Sequence, residues 1–600
     1  MVLAGPGSGK TRVLTHRVAY LLDTAAVAWP NRVLALTFTR KAAAEMTGRI
    51  TQLLGSRREE LWVGTFHAFS SSVLRSYGTR IGIDRDFLVA DEGYQQILVS
   101  EAARRASHAL LNANKTLERI SRLKCSLINS DKFLEAARQS GKHEDLAETY
   151  REYDSVLREN RMLDFDDLIL NTVLLLQKEP GVLQIYRDSF PQILVDEYQD
   201  TNYARFVLIK TLGSGHRNVF VVADDDQSIY GFQGADPKNI TRFITDFDPT
   251  IFRLRRNYRS TEVILDAANR LIQRNPMRED KVLVAQTRGG EPIIYYQAEN
   301  EQSEAEFIAS TIQGLRAEGY RYRDFAIFVR SRRRWLSAIE DALSKHSIPY
   351  IVIREPRKSQ TTRACLDYLR FAVSPNNDFV VSQILKDQLR EKGYELAGHL
   401  SRTGQYSLWQ KISKTVQRPE CLTENAWEGT KCLREFLAKL LASPGKPADL
   451  LTEAICYRRT YVLPSLTKEE QDIQTLEMEN LLQICHLHCR AQRTSLREVV
   501  EWATLECDLP VPEGKDCVRV MTVHSAKGLE FAVVFFIAFE EGLLPDYRAT
   551  QETDMQEERR CCYVGITRAR KRLYLTYTKR RMGWVVEPSR FLGELQQRAM

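Results

Sequence analysis

The sequence predicts an α/β protein built from two parallel-sheet lobes, each interrupted by a mainly helical insertion. Three observations predict it. Short apolar, β-branched runs alternate with helical patterns in two separate stretches, as parallel sheets do. Two further stretches carry Leu and Ile at helical spacing with few strand signals. The chain of 600 residues is too long for one core, and the length alone suggests about four domains.

The first strand-rich stretch holds Val33–Phe38, Leu61–Phe66, Gln192–Glu197 and Asn218–Asp224. The second holds Pro292–Gln297, Phe325–Arg330, Val518–His524, Val533–Phe539 and Arg572–Tyr577. The expected division is therefore residues 1–86 with 165–256 as the first lobe and 257–355 with 505–600 as the second. The helical insertions are 87–164 and 356–504.

Composition is that of a soluble globular chain, with 43% hydrophobic and 27% charged residues. No apolar run approaches the length of a membrane span, and no signal peptide precedes the first glycine loop. A cytoplasmic protein is expected. The net charge of +7 permits a nucleic-acid partner without arguing for one. Basic runs are local: Arg330, Arg332, Arg333 and Arg334, then Arg568, Arg570, Lys571, Arg572, Lys579, Arg580 and Arg581. The 11 cysteines show no disulfide framework. Cys485-His486-Leu487-His488-Cys489 has metal-capable residues, but its spacing fits an ordinary helix.

Ala4-Gly5-Pro6-Gly7-Ser8-Gly9-Lys10-Thr11 follows a short apolar strand and opens a helical run. Strand, glycine turn and helix in that order cradle phosphates with backbone N–H groups. Lys10 supplies a cation for the β- and γ-phosphates, and Thr11 offers a hydroxyl to Mg²⁺. The strict pattern has glycine where Ala4 stands. A nucleotide loop of this kind needs a carboxylate at a neighbouring strand end, and Gln192-Ile193-Leu194-Val195-Asp196-Glu197 supplies two. Asp196 is expected to hold Mg²⁺ and Glu197 to orient and deprotonate the attacking water.

Further segments follow in order: Leu36-Thr37-Phe38-Thr39-Arg40, Gly64-Thr65-Phe66-His67, Leu163-Asp164-Phe165-Asp166-Asp167-Leu168 and Val195-Asp196-Glu197-Tyr198-Gln199-Asp200. Then come Asp224-Asp225-Asp226-Gln227-Ser228-Ile229-Tyr230-Gly231, Asn257-Tyr258-Arg259-Ser260-Thr261, Val523-His524-Ser525-Ala526-Lys527-Gly528-Leu529-Glu530 and Tyr563-Val564-Gly565-Ile566-Thr567-Arg568-Ala569. In this set and order the chain resembles superfamily 1 DNA helicases of the UvrD/Rep/PcrA group over nearly its whole length.

The resemblance implies two RecA-like lobes with ATP between them. It implies that Gln227 senses the γ-phosphate and that Arg259 and Arg568 act as arginine fingers. Arg12 and Tyr258 would sandwich the adenine, and Glu530 would lie on the sugar side. Phe38, Phe66, His67, Tyr230, Phe232 and His524 would contact the DNA strand, where aromatic faces stack on any base. It implies a 3′-to-5′ helicase on single-stranded DNA and single-strand/duplex junctions, as a monomer or transient dimer, in repair, replication restart or recombination.

Several positions depart from the family pattern: Ala223 for glycine, Phe232 for tryptophan, Gln233 for arginine and Arg40 for asparagine. The second insertion lacks the family's Arg-Gly-Ile-Gly segment. Only Met1, Val2 and Leu3 precede the loop. The strand feeding it is therefore expected to be a stub, and Met1 not to be the natural start. Two other readings remain. A helicase–nuclease of the RecB/AddA type would need nuclease carboxylates beyond Lys579. A nucleotide- or DNA-binding remnant would bind without unwinding.

Overall fold

The computed structural model describes the chain except residues 25, 28–29, 56–59, 109–111, 277, 280, 332–335, 354–358, 402–405, 444, 492–494, 507–514 and 597–600. Arg332, Arg333 and Arg334 of the first basic run, the boundary at 355/356 and the side chain of Gln233 lie outside the described residues. The chain divides into two compact units.

The first unit comprises Met1–Phe69, Leu176–Glu355 and Val511–Met600 and contains two six-stranded parallel sheets. Strands β1 (Val2–Ala4), β2 (Val33–Thr37), β3 (Leu61–Thr65), β4 (Gln192–Val195), β5 (Val219–Ala223) and β6 (Phe252–Leu254) form one sheet, in the order β3-β2-β4-β5-β1-β6. Strands β7 (Ile294–Ala298), β8 (Phe325–Val329), β9 (Tyr350–Val352), β10 (Val518–Thr522), β11 (Phe531–Phe536) and β12 (Ala569–Thr578) form the other, in the order β7-β12-β11-β8-β10-β9. Every residue of β2 and of β8 is buried, which explains their unbroken apolar runs.

Strand β1 is three residues long but is paired on both sides, Val2 opposite Val222 of β5 and Phe252 of β6. The nine strands read from the sequence are all present, within a few residues at their ends. Strands β6 and β9 escape the sequence reading because three residues each, Phe252–Leu254 and Tyr350–Val352, are too few to establish a strand period.

Helix Lys10–Asp23 buries Leu14, Val18, Leu21 and Leu22 on one stripe, against Val33, Ala35, Met46, Leu194 and Val222. Helix Arg40–Leu54 starts where the Thr39 hydroxyl accepts a hydrogen bond from Ala42 N at 3.2 Å. Helices Glu262–Ile272 and Glu552–Ile566 share a core with Phe328, Val534, Phe536 and Leu575 of the second sheet.

The second unit comprises Ser70–Leu175 and Pro356–Pro510. Among its described residues the regular structure is helical apart from a two-residue parallel ladder, Leu88–Val89 with Met162–Leu163. The two insertions share one hydrophobic cluster, in which Tyr94, Tyr150 and Tyr153 join Leu366, Leu369, Ile384, Leu433 and Leu451. Here the Leu163–Leu168 segment has a structural part. Asp167 N donates to Asp164 Oδ1 at 2.8 Å, Asp164 N donates to Asp167 Oδ2 at 3.1 Å, and buried Lys124 neutralises both carboxylates at 2.7 Å. The Cys485–Cys489 segment lies within helix Lys468–Ala491, where the His488 ring stacks on Trp502. Among the described residues no helix is long and apolar enough to cross a membrane.

Candidate active site

The glycine loop joins β1 directly to helix Lys10–Asp23. Gly9 caps that helix with φ 93° and no side-chain bond, so the first N–H groups stay available to an anion. Gly7 has φ 66°, and a Cβ there would lie 2.7 Å from Arg259 Cβ and 2.8 Å from Asn257 Nδ2. Glycine is thus required at Gly7 by conformation and by space. The loop is held from the second half of the unit: Asn257 Nδ2 donates to Pro6 O at 2.7 Å, and Tyr258 N donates to Gly7 O at 2.9 Å. Lys10 Nζ lies 3.4 Å from Asp224 Oδ2.

Strand β4 ends at Val195 and delivers Asp196 and Glu197 to the same site. Glu197 takes the left-handed conformation, φ 46° and ψ 46°, which is costly for a residue with a Cβ and is the kind of strain found at functional turns. Burial, then the adjoining Glu197, pushes the Asp196 carboxyl up to about 7. Burial alone would raise Glu197 too, but the Lys10 and Lys527 cations outweigh it and hold that carboxyl below its usual range. Glu197 also accepts a hydrogen bond from Gln199 Nε2. The adjoining Asp196 and Glu197 carboxylates at the strand end, on the same site as the glycine loop that carries Thr11, are hard oxygen donors of the kind that fits Mg²⁺.

The opposing cations come from the second half of the unit. Arg568, at 1% exposure, donates from Nη2 to Gln227 Oε1 at 3.2 Å and from Nε to Val564 O at 3.0 Å. Burial, then Arg259, lowers its guanidinium to about 9. Arg259 Nε donates to Glu530 Oε2 at 2.7 Å. Gln227 Nε2 donates to Asp224. The structure therefore brings Lys10, Asp224, Gln227 and Arg568 into one connected network, with Asp196, Glu197 and Arg259 coupled to it electrostatically. Arg12 and Tyr258 are both exposed, and Tyr258 at 63% has a free face.

The aromatic positions form a contiguous array. Phe38 stacks on Tyr230 with centroids 5.3 Å apart. Tyr230 is 6.0 Å from Phe232 and 6.1 Å from His524, and Phe232 meets His524 edge-on at 5.3 Å. Phe232 is half exposed. Burial first, then Arg205 for His67 and Arg330 for His524, holds both imidazoles down to about 3, so both are neutral at pH 7. Phe66 is set apart from this array: it is 2% exposed, with the Arg205 guanidinium over its ring.

Sequence reasoning gave no role to Lys527. Its ammonium donates to Asp200 Oδ2 at 2.5 Å and to Gln227 O at 2.8 Å, and lies 5.0 Å from the Tyr230 ring centroid. It thus touches the carboxylate segment, the Gln227 segment and the aromatic array together. Asn257, which holds the glycine loop, and Arg205, which covers Phe38 at 4.7 Å, were likewise missed. Asn257 and Lys527 stood inside quoted motifs. Arg205 gave no sequence signal, since a lone helical arginine is ordinarily solvated.

Two family models cover this geometry. The UvrD/REP helicase N-terminal domain matches residues 1–248, and the UvrD-like helicase C-terminal domain matches residues 252–580. The chain belongs to the UvrD/REP helicase family. Among curated members, the ATP-dependent DNA helicase PcrA of Staphylococcus aureus (strain Mu50) is 36% identical over 628 aligned residues, covering 100% of this chain and 84% of that protein. The ATP-dependent DNA helicase PcrA of Staphylococcus epidermidis (strain ATCC 12228) is 34% identical over 623, with the same coverage. The two parallel sheets are consistent with the two RecA-like lobes of a UvrD-type helicase.

Proposed function

We propose that the chain hydrolyses ATP to move 3′-to-5′ along single-stranded DNA and to separate duplex at a single-strand/duplex junction. The observation that carries this reading is one connected network. Gln227 bonds Arg568 on the nucleotide side, and its own carbonyl is held by Lys527, which lies over Tyr230 of the aromatic array. Residues 1–86 with 165–256 and 257–355 with 505–600 would be the motor lobes, the first interrupted in sequence by the helical insertion 87–164 and the second by 356–504. The site of action would be cytoplasmic, on the nucleoid, in repair, replication restart or recombination, with monomer or transient dimer as the working state.

Each cation expected to meet phosphate is held by a protein acceptor: Lys10 by Asp224, Arg259 by Glu530 and Arg568 by Gln227. Nucleotide binding exchanges these acceptors for phosphate oxygens. The loop N–H groups and Lys10 take the β- and γ-phosphates. Tyr258 and Arg12 stack on the adenine, and Glu530 is freed for the sugar side. Thr11 and Asp196 would hold Mg²⁺, which when bound neutralises phosphate charge. Glu197, kept ionised, orients water and takes its proton. Arg259 and Arg568 stabilise charge on the transferring phosphoryl group. When Arg568 leaves Gln227, the Gln227–Lys527–Tyr230 chain carries the change to Phe38, Tyr230, Phe232 and His524, on which bases stack, with His67 as a further strand contact.

ATP hydrolysis with and without single-stranded DNA tests this. Hydrolysis should rise strongly with DNA, and Lys10→Ala should abolish it. Hydrolysis equally fast without DNA contradicts the motor reading.

A further inference from the structure

Asp224, Asp225 and Asp226 at the end of β5 place three carboxylates within 4.8 Å of one another, all buried. Such a triplet resembles a cation site, and a cation already fills it. Lys281 Nζ lies 2.9 Å from Asp224 Oδ1 and 3.2 Å from Asp226 Oδ2, and also bonds Asp225 Oδ1. Lys281 is 3% exposed. Arg278 adds a paired contact to Asp226, with Nε to Oδ1 at 3.0 Å and Nη2 to Oδ2 at 2.9 Å. Glu279 N donates to Asp225 Oδ2 at 2.6 Å. The same short segment continues to Leu283, whose side chain fills the space over Gly5 of the glycine loop.

Asp224 is shared. Its Oδ2 faces Lys10 and accepts from Gln227, while its Oδ1 faces Lys281. Three carboxylates thus stand against Lys10, Lys281 and Arg278. Lys10 is the group expected to move to phosphate, and when it leaves, Lys281 is the cation that stays paired with Asp224 among the described residues. Without Lys281, Lys10 would be the one ion-pair partner of buried Asp224 among the described residues, and its departure would leave that carboxylate unpaired. We infer that Lys281, supported by Arg278, is a positioning residue that keeps the Asp224–Asp225–Asp226 cluster charge-balanced so that Lys10 can transfer to the nucleotide. The inference rests on the ATP-site reading above and extends it to a residue outside the phosphate loop.

The test is equilibrium binding of a fluorescent, non-hydrolysable ATP analogue with Mg²⁺, alongside thermal melting and steady-state hydrolysis. Lys281→Met should raise the analogue's Kd and the KM for ATP by roughly tenfold or more, with kcat at saturation within about threefold of wild type. The double variant Lys281→Met with Asp225→Asn removes one charge of each sign while leaving an acceptor for Glu279 N. It should restore Kd to within about threefold of wild type, including where the single variant does not fold. A single variant with lowered melting temperature but unchanged Kd shows a purely structural lysine and overturns the inference. So does a double variant that fails to fold or binds no better than the single one. Binding needs no turnover. Absence of DNA-stimulated hydrolysis in the wild-type chain would therefore refute the motor reading without touching this result.

Discussion

Replacing Arg568 by alanine removes a guanidinium that is already dehydrated. It is 1% exposed and bonded to Gln227 Oε1 at 3.2 Å, Val564 O at 3.0 Å and Leu529 O at 3.4 Å. Burial and Arg259 lower it to about 9, which still leaves it cationic at pH 7 to 8. A fixed cation in a dry cleft acts on charge that develops in the transition state and needs no reorganisation to do so. Fingers of this kind contribute roughly 10³–10⁵ in kcat, or about 4–7 kcal/mol. Arg568→Ala should therefore lower kcat of DNA-stimulated hydrolysis by roughly 10³-fold or more, with KM within about threefold. Arg568→Lys should recover little, because one ammonium cannot bond the Val564 carbonyl and also reach past Gln227. The Gln227 Oε1 left without this donor costs about 1–3 kcal/mol in stability, whereas Val564 O keeps the Thr567 hydroxyl at 3.1 Å, so a melting curve must show that the variant is folded at the assay temperature. A folded variant with kcat within about threefold of wild type, or with KM raised and kcat intact, would refute the assignment.

Three other outcomes are expected. Gly7→Ala combines positive φ with contacts under 3 Å to Arg259 and Asn257; it should cost about 1–3 kcal/mol of stability and weaken ATP binding, and an unchanged melting temperature and Kd would contradict the close approach. Phe232→Ala should reduce duplex unwound per ATP consumed, since stacking is worth roughly 1–3 kcal/mol per base; the salt dependence of DNA binding should persist, and unchanged coupling would remove Phe232 from the DNA path. His67 and His524 are held down to about 3 in the folded chain against an ordinary value of about 6.5. The unfolded chain therefore takes up protons first, and the stability these residues contribute is full above pH 6.5 and is lost as pH falls towards 3; melting temperature against pH should decline less steeply for His524→Gln, and equal slopes would exclude that origin.

The fold was largely legible because parallel strands buried on both faces leave unbroken apolar runs, as in β2 and β8. The phosphate loop, Asp196–Glu197, Arg259 and Arg568 were legible because their chemistry sits in short, ordered segments. What was not legible depends on contacts across hundreds of residues. Lys281 reads as an ordinary surface lysine until Asp224, Asp225 and Asp226 close around it. Phe66 and Phe38 occupy equivalent places after their strands, yet Phe66 is buried and Phe38 is partly open. Strand periodicity ends before either residue and cannot tell them apart. The insertions read as two separate helical segments, because a core shared between residues near 94 and residues near 369 has no local signature.

The central claim is directional, ATP-driven strand separation, and unwinding of matched duplexes bearing a 3′ or a 5′ single-stranded tail tests it most directly. The account predicts strand release from the 3′-tailed duplex only, dependent on ATP and Mg²⁺ and lost in Lys10→Ala. Equal release from both duplexes, release from the 5′-tailed duplex alone, or DNA-stimulated hydrolysis with no release from either would contradict it.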